Sequence, residues 1–177
     1  MLKNNLFKKI SFILIIGISF FIFSGCSKDE SSVDKPANLK EITGKIEKAN
    51  FDSNGNIVIA EATITTDITY IDYEYEGVNI GLLAVRDSKD KVQVVVNTCQ
   101  SCGGSPYAYF VKVGDSIQCQ NCGNMFKIDE LDNLAVNGCN PIAIVNKKEK
   151  DGKITIVPDE LKALKSKFTN WQGPKAV

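Results

Sequence analysis

The chain has 177 residues, enough for one modest domain plus appendages, and its 21 basic and 21 acidic residues cancel to a formal charge of zero. It contains no histidine. That excludes a Rieske centre, a His-rich copper or zinc site and any Ser-His or Cys-His catalytic arrangement, and leaves thiolates and carboxylates as ligands. No basic stripe points to nucleic acid.

Lys3, Lys8 and Lys9 precede an apolar run over residues 10–23, the charged n-region and apolar h-region of a secretory signal. The run is shorter than the roughly 20 residues a membrane-crossing helix needs. It ends in Phe23-Ser24-Gly25-Cys26, which resembles a bacterial lipobox, with Phe23 where Leu is usual. The expectation is a signal peptide over 1–25, lipidation at Cys26 and a protein held on the extracytoplasmic side of the cell membrane. Without residues 1–25 the chain has 18 basic and 21 acidic residues, net −3. An anionic surface would not hold it by charge, so a lipid is the more natural tether. Residues 26–40 are polar, carry Pro36 and lack an apolar period, which predicts a flexible linker. A single domain then follows over 41–177.

Within it, residues 41–50 fit a short strand or helix, and Asp52-Ser53-Asn54-Gly55-Asn56 is a turn signal. Runs rich in β-branched and aromatic residues follow over 57–63, 68–76, 78–87 and 91–97. Short connections at Glu76-Gly77 and at 87–90 predict that these strands pair as an antiparallel meander. On the second run Asp72, Glu74 and Glu76 alternate beside Tyr70, a set of hard oxygen ligands that could hold ferric iron. The simpler reading is a solvated face opposite Ile71, Tyr73 and Tyr75.

Next come Cys99-Gln100-Ser101-Cys102-Gly103 and Cys119-Gln120-Asn121-Cys122-Gly123, with sixteen residues between Cys102 and Cys119. Two C-x-x-C pairs at this separation fall in the window of a tetrahedral metal site, since each pair can aim both sulfurs at one ion. Glycine after each second cysteine suits a positive φ, and such turns aim backbone N–H groups at sulfur. Facing knuckles of this kind build a zinc-ribbon or rubredoxin-like module. Four thiolates leave −2 on zinc and −1 on ferric iron, and Lys112 and Lys127 are near enough in sequence to offset that. The competing readings are two disulfides, which would close tiny loops, and a redox-active C-x-x-C lacking the expected βαβ context. Met125 reads as a core residue that could also favour Cu(I). Cys139, in Asn137-Gly138-Cys139-Asn140-Pro141, is the odd thiol: an additional ligand, a redox thiol or a small buried hydrophobe.

Short strands are expected over 107–112, 116–118, 125–128, 142–145 and 153–157, with a charged turn over 146–152. Pro158 should open a C-terminal helix, with Asp159 and Glu160 in its first turn and Leu161, Leu164, Phe168 and Trp171 facing the core. The predicted fold is mostly β, with a double-knuckle cysteine module and a C-terminal helix.

The order C-x-x-C, then Cys119-Gln120-Asn121-Cys122-Gly123-Asn124-Met125-Phe126, then Gly138-Cys139-Asn140-Pro141 resembles the FtrD-like membrane iron–sulfur protein domain over about residues 57–168. The resemblance implies an iron–sulfur centre, or mononuclear iron, on Cys99, Cys102, Cys119 and Cys122, with zinc as the alternative metal. It also implies a redox or iron-uptake accessory role beside a membrane permease or redox partner, and makes Cys139 a fifth family position. Asn97-Thr98 stand where members typically have an acidic residue. Many members are multi-span proteins, so a permease would here be a separate chain. No catalytic base, nucleophile pair or phosphate loop is visible, so the sequence does not read as an enzyme.

Overall fold

The computed structural model describes residues 39–135 and 138–174. The signal sequence, Cys26, most of the linker and Asn137 lie outside the described residues. No helix among the described residues is long and apolar enough to cross a membrane.

The scaffold is a five-stranded sheet built on the β-branched runs. Its strands are β1 (Gly44–Lys48), β3 (Ile68–Tyr75), β4 (Val78–Arg86), β5 (Val92–Cys99) and β9 (Pro141–Ala143), in the order β1-β3-β4-β5-β9. β3, β4 and β5 form the expected antiparallel meander. The β3–β4 turn is closed by Glu76 and Gly77, both with positive φ (48° and 74°), the twist a two-residue hairpin needs. At the β4–β5 turn the Asp87 carboxylate accepts the N–H groups of Lys89 (2.9 Å) and Lys91 (2.8 Å). Two pairings depart from a pure meander. β1 runs parallel to β3, and β2 (Ile57–Ala60) leaves the sheet altogether.

β2 instead joins β10 (Lys147–Lys150) and β11 (Lys153–Ile156) in a second sheet, so the charged turn expected over 146–152 is mostly a strand. Its K-K-E-K sequence suits a sheet edge, where charge blocks unwanted pairing. The third sheet holds β6 (Phe110–Val113), β7 (Ser116–Cys119) and β8 (Met125–Lys127).

The two small sheets cover opposite faces of the large one, which explains why every residue of β5 is buried. On one face Leu82, Ala84, Val94 and Val96 pack with Ile57, Ile154, Ile156, Leu161 and Phe168. On the other, Tyr70, Leu83, Val85, Val95 and Cys99 pack with Phe110, Ile117, Cys119 and Leu131. Tyr70 thus belongs to the second core, and burial pushes its phenol well above the usual range. Glu74 and Glu76 are exposed while Ile71 and Tyr73 are buried, so the end of this strand carries a solvated face opposite its buried one, and among the described residues these carboxylates form no ligand cluster.

The C-terminal segment keeps its apolar stripe but not the long helix. α1 spans only Asp159–Lys162, and a 3-10 turn follows at Lys165–Lys167. Leu161 and Phe168 are buried, with Leu164 and Trp171 packed against them. Beyond the helix the backbone bonds to the first knuckle and the loop after it. The Lys167 carbonyl accepts the Gly104 N–H (2.9 Å), and the Gln172 N–H donates to the Pro106 carbonyl (3.0 Å).

Candidate metal centre

Each cysteine pair begins at the last residue of a strand. Cys99 ends β5 and Cys119 ends β7. Both are fully buried, while Cys102 is half-buried and Cys122 is exposed. The small sheet docks on the large one so that the two strand ends meet. The Asn97 carboxamide oxygen accepts the Phe110 N–H (2.8 Å), and Phe110 is the register partner of Cys119. All four Sγ atoms lie within 4.8 Å of one another.

This spacing can be tested against a metal. A tetrahedral ion bound at about 2.3 Å to each sulfur has S–S edges of about 3.8 Å. Four sulfurs already inside 4.8 Å therefore fit one ion with little movement. The donor set is all sulfur, which suits iron or zinc and disfavours hard cations. All four are free thiols.

The knuckle turns supply the donors a thiolate needs. The backbone N–H of Cys102 points at the Cys99 sulfur and that of Asn124 at the Cys122 sulfur, each favouring the charged form. Those donors are outweighed. Contact with the Cys119 thiol, then burial, pushes Cys99 well above the usual thiol range. Burial raises Cys102, and burial raises Cys122 to about 11. Cys99, Cys102 and Cys122 therefore hold their protons until a cation replaces them.

Two polar residues that the sequence pattern did not single out serve the site. Asn121 bridges the knuckles: its carboxamide oxygen accepts from Ser105 Oγ (2.6 Å), and its side chain hydrogen-bonds the Cys102 sulfur in the sense that favours the thiolate. Lys167, 65 positions beyond Cys102, lies along the first knuckle, and its Nζ donates to the Gln100 carbonyl (3.1 Å). The place of Asn121 inside the second C-x-x-C pair could have flagged it. Nothing local could have flagged Lys167. The lysines that sequence proximity favoured are engaged elsewhere, Lys112 with the Thr66 carbonyl and Asp67, Lys127 with Asp115.

The two glycines do different things. Gly123 has φ +78° as expected. Gly103 does not take a positive φ; Gly104 does, at +99°. What is tight at Gly103 is space: a Cβ there would sit 2.9 Å from Lys167 Cδ. Met125 is half exposed rather than a core residue, since β8 is the edge of its sheet. Cys139 is half-buried and is not one of the four clustered thiols. What it gives the site is its carbonyl, which accepts from Cys99 Sγ at 3.1 Å. The neighbouring Asn140 carbonyl accepts the Gln100 N–H (2.9 Å), and Gly138 that of Ser101 Oγ (2.6 Å), so the Gly-Cys-Asn-Pro turn braces the first knuckle through its backbone.

The fold and site together define a layered β protein with a four-cysteine centre of metal-binding type. Residues 52–168 match the family model described as "Membrane iron-sulfur containing protein FtrD-like", and the chain belongs to this FtrD-like family. No curated protein matches the chain. Among solved structures it is similar to the quaternary ammonium Rieske monooxygenase CntA in complex with an inhibitor, at 18% identity and a TM-score of 0.38. That similarity covers 59% of this chain and 32% of the other, so the chain spans about a third of that enzyme's length; a likeness of this size carries no argument.

Proposed function

We propose that this is an extracytoplasmic, lipid-anchored membrane protein whose four thiolates hold iron, serving a redox or iron-uptake accessory role beside a membrane permease or redox partner. The observation that carries the reading is the convergence of Cys99, Cys102, Cys119 and Cys122 within 4.8 Å, from two strands of different sheets. Membership of a family described as membrane iron–sulfur proteins supports iron. When bound, iron supplies a one-electron couple. The chain's own part is to hold the four sulfurs, to turn the Cys102 and Asn124 N–H groups toward them, and to bury Cys99 and Cys119 while leaving Cys122 at the surface. An exposed ligand gives electrons a short path to a docked partner.

The compact sulfur spacing supports a second reading on the same residues: a single ion, as mononuclear iron or as structural zinc shaping an interaction surface. Protein purified without oxygen and assayed for iron, zinc and acid-labile sulfide separates these. Iron with equimolar sulfide, and absorption bleached by dithionite, marks a cluster; iron without sulfide marks a mononuclear site. Colourless protein with one zinc overturns the redox role. Metal-free protein with reductase activity identifies a thiol–disulfide oxidoreductase instead. For the anchor, membrane-fraction labelling by a radioactive fatty acid should be lost in Cys26→Ser, and labelling that persists removes the lipid.

A further inference from the structure

Along the first knuckle, the C-terminal segment makes a run of contacts that converge on one residue. The Lys167 carbonyl accepts the Gly104 N–H (2.9 Å), and its Nζ donates to the Gln100 carbonyl (3.1 Å). Its stem lies flat on Gly103, where a Cβ would come within 2.9 Å of Cδ, 3.0 Å of Cγ and 3.2 Å of Cβ. One side chain therefore spans the loop that carries Cys99 and Cys102. Two other lysines on the segment are neutralised, Lys162 by Asp159 (2.8 Å) and Lys165 by Glu76 (2.7 Å). Among the described residues no carboxylate pairs with Lys167, a half-buried residue whose ammonium is held on the Gln100 carbonyl, inside the loop between Cys99 and Cys102.

We propose that Lys167 is a positioning residue of the metal centre. Its stem fixes the first knuckle, and its ammonium offsets the charge of the four thiolates and raises the reduction potential of the bound iron. The proposal rests on the metal-centre reading above. The physical reason is simple: reduction adds one negative charge to a site that is already anionic, and an unpaired cation one loop away favours the reduced form.

The test uses the full chain loaded anaerobically with Fe²⁺, with the potential followed by spectroelectrochemical titration. Lys167→Met keeps the stem and removes the charge; Lys167→Arg keeps the charge. At low salt and a fixed poise near the wild-type midpoint, Lys167→Met should lower the ratio of reduced to oxidised protein by about tenfold. Lys167→Arg should restore most of it, and the Met effect should shrink as ionic strength rises. Equal potentials for wild type and Lys167→Met, with both binding iron, would overturn this inference and leave the metal centre intact. A wild type that takes up iron neither from Fe²⁺ alone nor from Fe²⁺ with sulfide would overturn the iron reading itself. Should Lys167→Met unfold, the Arg variant with its salt dependence decides: a potential insensitive to salt in both wild type and Arg rules out the charge.

Discussion

The two cysteine knuckles share a motif but not an environment. The first closes the end of β5, the most buried strand, and is braced from two directions: by the backbone of the Gly138–Pro141 turn and by Lys167. The second is the tip of a hairpin in a three-stranded sheet, held by its own turn and tied to the first through Asn121 and Ser105. There the Gly123 N–H donates to the Cys119 carbonyl, the Cys119 N–H to the Asn124 carbonyl, and Gln118 Nε2 to the Gly123 carbonyl. Cys99 is fully buried and Cys122 exposed. Each knuckle thus roots its first thiol, Cys99 or Cys119, in the core, and they differ at the second, half-buried at Cys102 and exposed at Cys122. The two buried thiols are placed by strand ends, and the two outer thiols by the turns that follow them.

The largest effects should come from the ligands themselves. Cys99→Ser and Cys122→Ser should both abolish stoichiometric metal binding, measured by elemental analysis. They should differ in the metal-free protein. Placing a hydroxyl at the buried Cys99 position should cost about 1–3 kcal/mol in urea unfolding, while the exposed Cys122 site should stay within about 0.5 kcal/mol of wild type. Equal losses in the apo protein would remove the distinction between the knuckles.

Acidity should act next. The thiols of Cys99, Cys102 and Cys122 sit above their ordinary value of 9.0, so metal must displace protons at neutral pH. Each displaced proton contributes about tenfold in apparent affinity per pH unit, so chelator competition should show weaker binding at pH 6 than at pH 8. The apo fold responds in the other direction. Raised thiol pKa values contribute stability that is complete below pH 9 and is lost as pH rises, through about 11 for Cys122. Apo stability that increases from pH 9 to 11 would refute this.

Substituting the paired glycines sharpens the contrast. Gly123→Ala forces alanine into φ +78° and should cost about 1–2 kcal/mol, although the space around it is open. Gly103→Ala carries no such strain. It meets only the movable Lys167 stem, so its stability loss should stay below about 1 kcal/mol. The smallest effect is expected at Cys139, whose contribution to the first knuckle is its backbone carbonyl. Cys139→Ala should retain full metal content and lose about 1 kcal/mol or less. Loss of metal in that variant would make the thiol itself part of the site.

Much of the site was legible because it is locally encoded. Two cysteines and a glycine in five residues specify a turn whatever surrounds it, and the β-branched runs specify strands. The Asp87 and Glu76-Gly77 turns bend as their side chains and φ values require. Misjudgements arose where a local pattern admits several partners. The run at 57–60 is a good strand in either sheet, and only packing of Ile57 and Ile59 against Ile154 and Ile156 assigns it away from the meander. Met125 has an apolar side chain, but its strand lies at an edge.

The sequence by itself determined the candidate ligand set: four thiols in two short loops, with no histidine to compete, because the spacing of a pair of cysteines suited to chelating one ion is a short-range property of the chain. The tertiary structure alone decided which of those thiols are buried, which lysine lies along the first knuckle, and that the fifth cysteine meets Cys99 through its carbonyl. These depend on contacts between residues 40 to 67 positions apart, where burial of two apolar faces of one sheet, and no local rule, chooses the neighbours.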